Sequence, residues 1–318
     1  LVTKSLLRGE VTFTVPRSRV RECLYAAIDE DERREVHRRI ALALDEARQE
    51  SRELVSHALL AGEVGLAVER AISVSQRLEA SFSSENAASL LEEVLPLASD
   101  ASRRIILGRL VELYECLGQF RKALSHALVK LDVQKDDPAS HLKVGELMIS
   151  AGQFDGVPEV LDRAGELASS MKDSTLMADL AVARAEMHFR RGENDEALAI
   201  CAEVPGGSEK AALFFANIRG KVLLSRGELE RAETIFHENL IDAEEAGIER
   251  LRGGALINLG IIALRRSQHD EAASYFHRAL VVSRRCRDQR TAAFSCVNMA
   301  VLAHMRCDYR QALESYHE

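Results

Sequence analysis

Ala255-Leu256-Ile257-Asn258-Leu259-Gly260-Ile261-Ile262-Ala263-Leu264, then Ser267-Gln268-His269-Asp270-Glu271-Ala272 and Phe276, is the stretch that decides the fold. Its first half reads as an apolar helix. Gly260 removes a side chain where two backbones approach, and Ala263 lies at i+3 on the same face. Ser267 marks a tight turn. The second half places Ala272, Phe276 and Ala279 on one stripe of a second helix, with Phe276 filling the gap that the small residues leave.

The same template recurs on either side. Gly227 leads to Ala232 and Phe236, and Cys307 leads to Ala312 and Tyr316. Earlier copies run through Gly220, Leu223 and Gly227; through Ala185, His188, Gly192, Ala197 and Cys201; through Gly145, Met148, Gly152, Val157 and Leu161; and through Tyr114, Gly118, Ala123 and Ala127. Turn positions 118, 152, 192, 227, 267 and 307 are 34, 40, 35, 40 and 40 residues apart. A period in this range predicts helix pairs stacked into a solenoid, an architecture that holds partners rather than performing catalysis.

Bulk composition agrees. The 318 residues are 47% hydrophobic but only 5% aromatic, with no Trp and five Pro, which suits Ala/Leu-rich helix packing. Net charge is −8 with the two signs interspersed, so no basic stripe for nucleic acid is present. No apolar run reaches the length of a membrane span. The six Cys form no C-x-x-C pair and sit in apolar helical contexts, which points to a reducing, cytoplasmic setting without disulfides or zinc. The ten His show no H-E-x-x-H spacing, and neither a phosphate-binding loop nor a G-x-S-x-G nucleophile motif occurs. The expectation is a non-enzyme without cofactor or metal.

The helix pairs resemble the tetratricopeptide family over residues 101–318, and the 40-residue copies with Asn258-Leu259-Gly260 and Asn298-Met299-Ala300 resemble its long-helix regulatory subtype. That resemblance implies an all-α, right-handed α-α superhelix of seven or eight helix pairs. Residues 61–100 read as degenerate repeats. Leu60-Ala61-Gly62-Glu63 forms a turn, an apolar-periodic helix runs from Val64 to Ala80, Ser83-Ser84-Glu85-Asn86 caps the next helix, and Pro96 ends or kinks it.

The first sixty residues depart from the template. Glu10-Val11-Thr12-Phe13-Thr14-Val15 alternates like a strand, and Pro16 ends it. Arg17–Ile28 reads as a helix with Val20 and Leu24 inward. Asp29-Glu30-Asp31-Glu32 is an acidic start to a helix whose inward stripe is Val36, Ile40, Ala43 and Leu44. Residues 1–28 resemble the end of the winged-helix-like subdomain of bacterial multidomain signal-transduction ATPases, and 29–60 their linker helices. This implies an ATPase or kinase domain upstream in the same polypeptide. The absence of an initial Met at Leu1 and a stop at Glu318 inside an expected helix read as a piece of a longer protein.

Four residues are candidates for contact with a protein or peptide ligand. Asn258 and Asn298 hold one place in successive repeats, two before the small residue of the first helix, where the family's concave groove lies. A side-chain amide can both donate to and accept from an extended backbone; the competing readings are an interhelical hydrogen bond or simple exposure. Asn217 is one place off that register, and Arg265 sits one step nearer the groove than the turn arginines. Arg191, Arg226, Arg266 and Arg306 each precede a turn, where a cation complements the helix C-terminus or forms a ridge for an acidic partner. His188 reads as a packed core histidine, and Phe236, Phe276 and Tyr316 as core aromatics. Self-association through the repeats and a small-molecule effector held between helices are the competing functions.

Overall fold

The computed structural model describes residues 3–7, 10–14, 18–81, 83–203 and 208–317, with side chains from residue 22 onward. Two compact units divide between Ile106 and Leu107.

In the first unit, β1 (Thr3–Leu7) and β2 (Glu10–Thr14) form an antiparallel hairpin with Thr3 opposite Thr14 and Leu7 opposite Glu10. The alternating stretch is therefore a strand, and its partner is the preceding segment, which carries too weak a pattern to be read alone. Val15 and Pro16 lie outside the described residues. Then follow α1 (Ser18–Ala27), α2 (Glu30–Glu46), α3 (Arg52–Leu60), α4 (Val64–Ala80) and α5 (Ser84–Val94). Asp29 caps α2 by accepting from the Asp31 amide, and Pro96 sits in a 3-10 turn over Leu95–Leu97.

The buried face of α2 differs from the expected one. Val36 and Ile40 are exposed, while His37 and Ala41 are buried. His37 is drawn inward by two hydrogen-bonding contacts: its Nε2 lies 2.7 Å from Tyr25 Oη of α1, and its Nδ1 lies 2.7 Å from His57 Nδ1 of α3. Leu24 is likewise exposed.

The division between the units falls within α6 (Asp100–Cys116). The second unit continues with the pairs α8 (Pro138–Ala151) and α9 (Val157–Met171), α10 (Ser174–Arg191) and α11 (Asn194–Ala202), α12 (Glu209–Ser225) and α13 (Leu229–Glu245), α14 (Glu249–Arg265) and α15 (His269–Cys286), and α16 (Gln289–Met305) and α17 (Tyr309–His317), preceded by α7 (Phe120–Val133). These helix pairs form an all-α superhelix.

Each pair is built the same way. The first helix starts on a side-chain cap in α8, α10, α12 and α16, supplied by Asp137, Asp173, Ser208 and Asp288. It ends on a left-handed residue at each expected turn: φ is +67° at Gly118, +73° at Gly152, +80° at Gly192 and Gly227, and +59° and +60° at Ser267 and Cys307. The second helix of α11, α13 and α15 needs no side-chain cap, because it is entered directly from that turn.

Packing explains the small residues. A Cβ on Gly220 would stand 2.7 Å from the Phe236 ring, and one on Gly260 would overlap the Phe276 ring. Phe236 and Phe276 are fully buried, as are Ala232 and Ala272. Each aromatic is also covered by the following pair: Leu256, Leu259 and Ile262 of α14 share the core with Phe236, and Leu302 of α16 packs with Phe276. Tyr316 holds the equivalent place on α17 yet is 58% exposed, because no helix among the described residues lies beyond α17 to cover it.

Candidate functional site

Consecutive first helices, from α8 through α10, α12, α14 and α16, pack directly on one another, whereas consecutive second helices make no comparable contact. The first helices therefore form the inner wall of the repeats, and the groove lies along them.

Asn258 on α14 and Asn298 on α16 are both half-buried. Asn258 has no hydrogen-bond partner among the described residues. Asn298 donates from Nδ2 to the Phe294 carbonyl one turn back, at 2.7 Å, which holds the amide against its own helix. Asn217 on α12 has a buried Oδ1 that accepts no hydrogen bond. Arg265 donates from Nη1 to the Leu224 carbonyl at 2.8 Å, so it ties the end of α14 to the end of α12.

The arginines before the turns act across repeats rather than on their own helix ends. Arg226 pairs with Asp195, Arg266 with Glu233 at 2.8 Å and Glu230 at 3.4 Å, and Arg306 with Asp270 at 2.7 Å. Each arginine thus reaches the first or second turn of the preceding repeat's second helix. Arg191 pairs locally with Glu193 at 3.0 Å. The acids Asp195, Glu230 and Asp270 are almost fully exposed, so solvent screens each such pair and it serves register more than stability. His188 is not a core residue: it is half-buried at the end of α10, with Nδ1 2.7 Å from Glu193 Oε2.

Charged side chains that the sequence did not single out line the wall between α6 and α12. Glu186 of α10 accepts from Arg190 Nε at 2.8 Å and from Lys221 Nζ of α12 at 2.7 Å. Burial pushes the Glu186 carboxyl up, but Lys221 and Arg190 outweigh it and hold the group below its ordinary value. Lys143 of α8 lies 3.0 Å from Glu146 and 3.3 Å from Glu115 of α6. Burial pulls this ammonium down, and the two carboxylates more than restore it. A signal was available: Glu112, Glu146, Glu186, Lys221, Ile261 and Val301 all lie six residues before a turn. Along that column the wall changes from charged to apolar. On α16, Phe294, Val297, Val301 and Met305 are exposed large hydrophobics.

A cleft of about 280 Å³ opens among α6, α7 and α8, with Gly108, Val111 and Ala127 below Lys130 and Lys143. Among the described residues no group of three metal-binding side chains occurs, and no helix is long and apolar enough to cross a membrane. Among the described residues no Cys is in a disulfide. Burial pushes the Cys201 thiol up to about 11, which leaves it unreactive.

The tetratricopeptide repeat family matches residues 255–290, which are most of α14 and α15. No match was found among curated proteins. Among solved structures, a tetratricopeptide repeat protein from Parabacteroides merdae is similar at 14% identity, with 83% of this chain and 98% of that one covered and a TM-score of 0.58. A signal transduction ATPase with numerous domains and a tetratricopeptide repeat sensor, from Pyrococcus horikoshii, is similar at 15% identity and a TM-score of 0.46; 96% of this chain is covered, and it spans about half (49%) of that one. The apo form of the quorum sensor NprR from B. thuringiensis is similar at 10% identity, with 94% and 98% covered and a TM-score of 0.49. The chain therefore contains a tetratricopeptide-repeat region and has the fold of such a superhelix.

Proposed function

We propose that this chain is a non-catalytic protein- or peptide-binding scaffold or sensor region of a cytoplasmic bacterial signalling or transcriptional regulator. The ligand lies along the inner wall. Residues 101–318 are the binding repeats and 61–100 their degenerate extension. Residues 29–60 are linker helices, and 1–28 are the end of a winged-helix-like subdomain that follows an ATPase or kinase domain.

The observation that carries the reading is the half-buried Asn258, an amide on the inner wall with no partner among the described residues. A peptide backbone alongside α14 would supply both donor and acceptor, and Asn298 and Asn217 extend the row. The exposed apolar side chains of α16 would take the ligand's apolar residues.

The test starts from peptides selected by display against the whole chain, with affinities measured by calorimetry. Replacing Asn258 and Asn298 together by Ala should weaken the selected peptides by about tenfold, the equivalent of one or two hydrogen bonds. Unchanged affinity would sink the groove assignment.

A second reading, self-association, is favoured by α17, where Tyr309, Leu313 and Tyr316 are 62%, 59% and 58% exposed on one face. Light scattering separates the two: a monomer at tens of micromolar disfavours assembly. A small-molecule effector in the cleft among α6, α7 and α8 is the third reading, and a thermal-shift screen against metabolites addresses it.

A further inference from the structure

Arg290, in the first turn of α16, reaches back across the repeats to α7, 170 positions earlier in the sequence. Its guanidinium carbon stands 5.1 Å from the ring centre of Phe120 and 5.8 Å from that of Phe294. The two rings flank the cation and accept no ordinary hydrogen bond, and no carboxylate or carbonyl among the described residues hydrogen-bonds to Arg290.

The neighbours make an acceptor more necessary. Burial and then the charges of Arg190 and Arg250 push the Arg290 guanidinium below its ordinary value. Two carboxylates lie near, and both are committed. Glu186 is held by Arg190 at 2.8 Å and Lys221 at 2.7 Å. Asp288 accepts from the Thr291 amide at 3.0 Å and hydroxyl at 2.7 Å as the cap of α16. Arg250, exposed in the first turn of α14, also has no acidic partner among the described residues. Two guanidinium groups are thus left without a hydrogen-bonded carboxylate among the described residues, with aromatic faces beside one of them.

We propose that Arg290, flanked by Phe120 and Phe294, is the anchor of a site for a phosphoryl group, with Arg250 and Arg190 supplying further positive charge. A phosphate monoester is dianionic near neutral pH and presents three acceptor oxygens, which matches two unpaired guanidinium forks better than a monoanionic carboxylate does. The group can arrive on a phosphorylated peptide or on a free phosphate ester. The Phe rings suit an ester whose body is flat and apolar. Bound there, the ligand bridges α14 and α16 to α10 and fixes the approach of α16 to α7.

Calorimetric titration of the whole chain with phenyl phosphate, inorganic phosphate, benzoate and a phosphoserine pentapeptide tests the proposal. Phenyl phosphate should bind saturably and more tightly than benzoate. Arg290→Gln should weaken it by about tenfold or more, the loss of a charge-assisted bidentate contact, and Arg290→Lys by less. Arg226→Gln, which removes a cation already paired with Asp195, should leave it unchanged. If Arg290→Gln does not melt like the parent chain, Arg250→Gln at the exposed position gives the same reading. Binding of phenyl phosphate without the phosphopeptide assigns the site to free esters, and the reverse assigns it to phosphopeptides. Absence of saturable binding by either, benzoate binding as tightly as phenyl phosphate, or full retention in both arginine variants would overturn the proposal. The site stands apart from the asparagine row: the Asn258→Ala, Asn298→Ala double variant should retain phenyl phosphate, so either assignment can fail alone.

Discussion

Helices α14 and α15 hold together through a glycine and a phenylalanine; α1, α2 and α3 hold together through a tyrosine and two histidines. In the first region Gly260 gives Phe276 its space, and the core around the ring is apolar, with Ala263, Ala272 and Leu302. In the second, Tyr25, His37 and His57 form a chain with 2.7 Å separations at each step. Apolar packing is indifferent to pH and can be repeated along a chain by spacing alone. A hydrogen-bonded histidine pair is neither. The contrast teaches why the repeats announce themselves in the sequence and the first three helices do not.

The sharpest test of the comparison is Phe276→Ala. It should cost about 3–5 kcal/mol in chemical denaturation, because the ring is fully buried between two repeats. A loss under about 1 kcal/mol would show that the ring does not fill the gap at Gly260. Gly260→Ala attacks the same contact from the other side. Its new methyl would meet the Phe276 ring, and the expected cost is about 1–3 kcal/mol. The same exchange at Gly254, where a Cβ meets nothing, should instead stabilise α14 slightly.

The histidine pair gives the pH test. Burial, then His57 and Arg33, hold His37 below the ordinary histidine value of 6.5. The unfolded chain therefore takes up the proton first. Stability should be flat above 6.5 and fall as pH drops through that value towards the lower folded-state one. His37→Gln, compared with the parent chain between pH 7.5 and 5 by denaturation of the first unit's helices, should flatten that fall. An identical slope in both proteins would assign the pH response elsewhere. Protonating both rings also breaks the Nδ1–Nδ1 contact, since two N–H donors cannot share one bond.

Two smaller effects probe the edges of the comparison. Tyr316→Ala should cost under about 1 kcal/mol, although Tyr316 shares its template position with Phe276, because it is largely exposed. Ser267→Gly should stabilise by roughly 0.5–1 kcal/mol, since Ser267 occupies the left-handed conformation at φ +59° that other repeats give to glycine. Thermal denaturation resolves both.

Where spacing carries the information, the sequence was readable. All six turn positions adopt the left-handed conformation, Gly220 and Gly260 sit against the aromatics expected of them, and Val64–Ala80 is a helix with the expected bounds. Where a contact links distant segments, spacing was silent or misleading. The apolar stripe of Val36 and Ile40 lost to His37, whose partners lie on two other helices. The turn arginines suited a helix end by proximity, but Arg226, Arg266 and Arg306 pair instead with carboxylates of the preceding repeat. At the groove, the asparagine row was visible as a repeat of one residue type, while the Glu186–Lys221 pair was marked only by its spacing before the turns, because its residues differ in kind from one repeat to the next.

The sequence by itself determined the repeat, its turns, and which residues meet inside each helix pair, because neighbouring helices are short-range partners and their steric fit is written in residue size. Only the tertiary structure decided what lies across the groove. The cations that find carboxylates there, and the Arg290 that finds only Phe120 and Phe294, depend on how the superhelix brings repeats back towards one another. That is set by small rotations accumulated over several helix pairs, and no local pattern records it.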